Sequence, residues 1–65
     1  MRLVKRKVIL NLKNDRSFRG ILWERRFGVL VLRQAELLKP GGQAVKMDGE
    51  LVVFKSDVDF IQVVN

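Results

Sequence analysis

The chain has no cysteine and no histidine among its 65 residues. Without cysteine there is no disulfide staple and no thiolate metal site. Without histidine, metal binding and neutral-pH acid/base catalysis lose their usual side chain. No apolar run approaches ~20 residues, so no membrane-spanning helix is expected, nor a membrane partner. The start, Met1-Arg2-Leu3-Val4-Lys5-Arg6-Lys7, is basic but has no long apolar stretch of the signal-peptide kind. A cytoplasmic protein is the default expectation. There is one proline, no repeat, no low-complexity segment and no linker, so residues 1–65 read as a single domain, with 1–7 as either a short basic arm or an extension of the first strand. A domain this small buries only about 60% of the surface its unfolded chain exposes, and oligomerisation is a common supplement.

Charge is plentiful and uneven. Residues 1–33 hold ten Lys/Arg against Asp15 and Glu24, a net of +8, whereas residues 34–65 carry a net of −2. A basic half suits a polyanion such as nucleic acid. It also suits a solubilising surface, or opposite patches that dock copies of the chain head to tail.

Phe18-Arg19-Gly20-Ile21-Leu22-Trp23 organises the pattern. Phe18, Gly20 and Leu22 share one strand face, and Arg19, Ile21 and Trp23 the other. Glycine in mid-strand marks a sharp bend or a close backbone approach, and a bent strand lets one sheet fold over its own core. Before it, Val8 to Lys13 alternates as a strand, with Asn14-Asp15 as a two-residue hairpin turn. Residues 16–24 form the second strand, and Glu24-Arg25-Arg26 reads as a tight connection. The third strand runs from Phe27 to about Leu38. Its centre, Val29 to Leu32, is apolar on both faces, so both should be covered. Lys39-Pro40-Gly41-Gly42-Gln43 is a loop. It lacks the Gly-Lys-Ser/Thr ending of a phosphate-binding loop. Asp48-Gly49 is a turn or bend. Glu50 to Lys55 and Val58 to Val64 are the last two strands, joined by Ser56-Asp57. The fold class is therefore all-β, a small, strongly bent, five-stranded antiparallel barrel. The last two strands are apolar with little charge to blunt their edges, which invites pairing with another chain.

The order of these features resembles the Sm/LSm family. Leu10 to Leu22 is similar to its first motif: an alternating strand, a polar turn, then hydrophobic, any residue, Gly, any residue, hydrophobic. Gly49 to Phe60 is similar to the second, with Leu51-Val52-Val53-Phe54 followed by Lys55-Ser56 where Arg-Gly is usual. The family's N-terminal helix has no counterpart in residues 1–7, which are too few to hold one. The Asp and Asn of the family's RNA-contacting loop are also missing from Trp23-Glu24-Arg25-Arg26-Phe27-Gly28-Val29. The resemblance implies a homo-oligomeric ring of six or seven copies, in which the fourth strand of one pairs with the fifth of the next. It further implies that the loops after the second and fourth strands line the hole, presenting Arg25, Arg26 and Lys55 from every copy.

The candidate nucleic-acid-binding residues are Trp23, Arg25, Arg26, Phe27 and Lys55. Guanidinium and ammonium groups contact phosphates, and an aromatic face can stack on an unpaired base. The competing reading puts Trp23 and Phe27 in the core or an interface, which is preferred for the aromatics, and has the arginines solvate a turn. Arg2 with Lys5-Arg6-Lys7 reads first as a basic terminus. Asp57 and Asp59 would share a strand face if extended, but surface is the better reading of them than metal or catalysis. No acid, base or nucleophile constellation is visible, so no enzyme, catalytic residue, metal or cofactor is expected. The leading function is binding of single-stranded RNA or DNA by a ring. The rival is a structural module of a larger protein assembly, for example a phage or virion component, which would place it in the virion.

Overall fold

The computed structural model describes residues 2–64. Strands β1 (Lys7–Leu12), β2 (Ser17–Arg26), β3 (Val29–Leu38), β4 (Ala44–Lys46), β5 (Leu51–Phe54) and β6 (Val58–Val63) form one antiparallel sheet. A 3₁₀ turn, Lys55–Asp57, joins β5 to β6. The order is β4-β3-β2-β1-β6, with β5 also laid on β3. The strands expected from the sequence are all present. The fourth is preceded by a short segment, β4, that the sequence did not signal. Both lie along β3, and Asp48-Gly49 interrupts them, Gly49 taking a positive φ of 74°.

Gly20 is the pivot. A Cβ built on it would sit 3.0 Å from the Arg33 carbonyl oxygen and 3.2 Å from Ala35 Cα. β3 therefore crosses β2 so closely that even a methyl at position 20 would require backbone to shift. Opposite Gly20, β3 carries one extra residue: Arg19 pairs with Glu36, but Ile21 pairs with Arg33. Gln34 absorbs the excess with φ +53°. A bulge of this kind bends its strand and increases the twist. The shift also re-aims side chains, so the buried residues of β3 are Leu30, Leu32 and then Ala35, three further on. With Val8, Leu10, Phe18, Leu22 and Val53 they make the core. Val29 and Val31 are only half-buried and Val52 is 57% exposed, so the second face of β3–β5 is not covered within one chain.

Three local expectations are corrected. The β1–β2 connection is a three-residue loop: Leu12 N–H donates to the Arg16 carbonyl, Asp15 N–H donates to the Leu12 carbonyl, and Asp15 takes φ +69°. The Asn14 side-chain oxygen accepts from Arg16 N–H at 3.0 Å and locks the turn. Glu24-Arg25-Arg26 is not a connection but the end of β2, and the hairpin turns two residues later at Phe27-Gly28. The basic segment is not a loose arm either. Lys5 N–H donates to the Leu22 carbonyl at 2.6 Å, Leu22 N–H donates to the Arg6 carbonyl at 2.9 Å, and Leu3 packs against the core. Lys39–Gln43 is the expected loop, with Gly41 and Gly42 at φ +88° and +83°.

Candidate nucleic-acid interface

Phe27 and Gly28 occupy the two central positions of the β2–β3 hairpin, at φ +52° and +77°. Positive φ at both positions is the geometry that twists a two-residue hairpin correctly. Gly28 suits it, whereas a bulky Phe27 is a backbone outlier there. Its ring buries almost no apolar surface in the fold, because Phe27 is 93% exposed. This removes the core reading of Phe27. The guanidinium of Arg26 lies 5.7 Å from the ring centre, within cation–π range.

A second β-bulge decides where Arg25 points. Leu22 pairs with Leu32, but Glu24 pairs with Val31, so Trp23 is an extra residue on β2. Simple alternation would leave Arg25 on the face of Trp23. The bulge instead sets Arg25 opposite the buried Leu30, on the core side but beyond the core's end. There Arg25 lines a cavity of about 220 Å³ with Lys55, Asp59 and Phe60. The β2–β3 turn and the β5–β6 turn are tied together, since Lys55 N–H donates to the Gly28 carbonyl at 2.8 Å. The structure thus brings Arg25 and Lys55 to one cavity and places Arg26 and Phe27 at the adjoining hairpin end.

Trp23 is elsewhere. It is half-buried, and its ring carries the Lys5 ammonium at 3.2 Å and the Arg33 guanidinium at 4.1 Å from its centre. An aromatic face already holding cations is a poor platform for a base. Other arginines of the basic half are neutralised by acids of the second half. Arg19 donates through Nη2 to Glu36 at 2.8 Å, and Arg33 through Nε to Glu50 at 2.7 Å. Arg25, Arg26 and Lys55 form no ion pair among the described residues. Asp57 lies in the 3₁₀ turn, not on a strand face with Asp59, and its carbonyl accepts from Lys13 N–H. Among the described residues no three acidic side chains gather where a metal could sit.

Asp59 and Phe60 were not among the sequence candidates for this site. Their signal was the closeness of Lys55 to β6, which the short Ser56-Asp57 connection carries. The outer strands add a further feature. Among the described residues β5 pairs only with β3 and β6 only with β1, and beside these edges Val52, Phe54 and Phe60 are 57%, 62% and 54% exposed.

No protein-family model and no curated protein matches the chain. Solved structures do. A heptameric archaeal Sm protein is 30% identical, with a TM-score of 0.85 over 97% of this chain and 91% of its own. The SmAP1 heptamer of P. aerophilum is also 30% identical, with a TM-score of 0.85 over 97% of this chain and 84% of that one. The Sm protein of Pyrococcus abyssii, solved in complex with a uridine heptamer, is 28% identical, with a TM-score of 0.83 over 95% and 87%. The bent sheet pivoting on Gly20, the tied pair of turns and these likenesses place the chain in the Sm family.

Proposed function

We propose that this protein is a non-enzymatic Sm-like module that closes into a ring of six or seven copies and binds single-stranded nucleic acid, RNA before DNA. The observation that carries the reading is the meeting of Arg25 and Lys55, both without an ion-pair partner, on one cavity beside the exposed Arg26–Phe27 tip. Two of the Sm proteins this chain resembles are heptamers, and a third was solved with a uridine heptamer, which supports both parts of the reading. β5 of one copy pairs with β6 of the next, and this pairing covers Val52, Phe54 and Phe60 while satisfying the free edges. Each copy then adds three cations to a common annulus. Repeated positive charge of this kind holds phosphates with an affinity that falls steeply as salt rises.

The test is binding of a labelled oligouridine at low and moderate salt, with native mass measured on the same sample. The wild type should bind as a species of six or seven chains. Arg25→Ala with Lys55→Ala should weaken binding by at least tenfold and flatten the salt dependence, because two phosphate contacts per copy are gone. Weak binding by the wild type at low salt would end the reading.

A further inference from the structure

We infer that the site takes single strands with little regard to base identity. This rests on the nucleic-acid reading above and deepens it. Telling one base from another requires donors or acceptors held rigidly against the base edge. The side chains gathered at the tip and cavity are not held in that way. Arg25, Arg26 and Lys55 form no ion pair among the described residues that would fix their donors, and Phe27 offers a ring with no polar atom. Donors on long side chains suit phosphate, whose charge is the same at every nucleotide. A phenyl face suits stacking, which tolerates any base because every base has a π face.

The amide side chains Asn11, Asn14 and Gln34 lie away from the tip, and the one hydroxyl beside it, Ser56 next to Lys55, both donates and accepts and so discriminates little. Asn11 donates through Nδ2 to Gln62 at 3.0 Å and accepts from Ser17 Oγ at 3.0 Å. Asn14 is held in the β1–β2 turn by Arg16 N–H. Gln34 lies at the β3 bulge and lines a different cavity, with Lys46 and Met47. One carboxylate lines the site: Asp59, on the cavity wall with Arg25 and Lys55 but in an ion pair with neither among the described residues. Asp59→Ala isolates its effect on base choice.

Phe27 supplies the second line of argument. A phenylalanine held at φ +52° and 93% exposed costs the chain both backbone strain and solvated apolar area. Asn-Gly would make the same turn without strain. The ring is therefore explained by what it meets outside the fold, and stacking asks for no particular base.

The experiment compares nine-nucleotide oligomers of U, A and C on the full-length protein at one low salt concentration. All three should bind with affinities within tenfold of one another. Phe27→Gly, which keeps a turn that accepts positive φ, should weaken all three together, by roughly tenfold or more per stacked base. Asp59→Ala should leave their order unchanged. A preference above tenfold for one base overturns the inference and leaves the binding function standing. So does a Phe27→Gly loss confined to one oligomer, or a reordering by Asp59→Ala. Failure of all three to bind overturns the underlying function instead.

Discussion

Strands β5 and β6 are richer in apolar residues than strands β1 to β3 but bury fewer of them. Among the described residues, β1, β2 and β3 hold seven of the eight buried core side chains, β5 holds Val53 alone, and β6 holds none. Yet β5 and β6 expose Val52, Phe54 and Phe60. The inner three strands satisfy one another, and β2 and β3 are bulged to do so. The outer two each keep a ladder edge open. Apolar area on the first group is buried by folding, whereas much of that on the second stays exposed.

The sharpest way to test this difference is to delete side chains from each group. Leu10 is fully buried, so Leu10→Ala should cost about 2–5 kcal/mol, read from urea unfolding. Phe54→Ser with Phe60→Ser should instead leave strand content intact by circular dichroism while native mass drops toward the single chain. Equal loss of secondary structure in the two variants would erase the distinction between inner and outer strands.

Gly20 comes next in expected size. Gly20→Ala forces a methyl to within 3.0 Å of the Arg33 carbonyl and 3.2 Å of Ala35 Cα, both backbone atoms of β3. Backbone yields less readily than the end of a side chain. The loss should be about 1–3 kcal/mol, measured by the shift in urea midpoint at unchanged slope. A neutral result would mean that the β2–β3 crossing relaxes freely and that Gly20 does not set the bend.

Gly20 was also the most legible residue in the chain. Glycine among alternating apolar residues has few explanations in a strand, and the close approach is one of them. Alternation likewise placed Val8, Leu10, Phe18 and Leu22 on the inner face. What alternation could not show was the extra residue at Gln34 and at Trp23. A β-bulge is a mismatch between two strands, so neither strand alone announces it. The candidate site suffered most from this. Arg25 and Trp23 were grouped as neighbours in the chain with complementary chemistry, and the bulge separates them onto opposite faces. The hairpin position was missed for a different reason. Residue preference favours Asn or Asp before the turn glycine, and Phe27 violates that preference. The single glycine between two apolar runs, Gly28, was the usable clue. The short β4 had no legible pattern, since three residues are too few to show a period.

The smallest predicted effect lies at the basic segment. Its chain crosses β2 through two backbone hydrogen bonds at Leu22, and the Lys5 ammonium sits on the Trp23 ring. Lys5 is also held at φ +73°, where any residue with a Cβ is strained. Two opposing terms therefore meet at one residue, and two substitutions separate them. Lys5→Ala keeps the strain and removes the ammonium, so it should destabilise by about 0.5–1 kcal/mol, the range of an exposed cation–π contact. Lys5→Gly removes the strain as well and should recover most of that loss. The local readout is hydrogen exchange at the Leu22 amide, which donates to the Arg6 carbonyl. Exchange should speed up in Lys5→Ala. If it does not change, the backbone bonds and Leu3 hold the segment alone, and the Lys5–Trp23 contact contributes nothing to closing that side of the barrel.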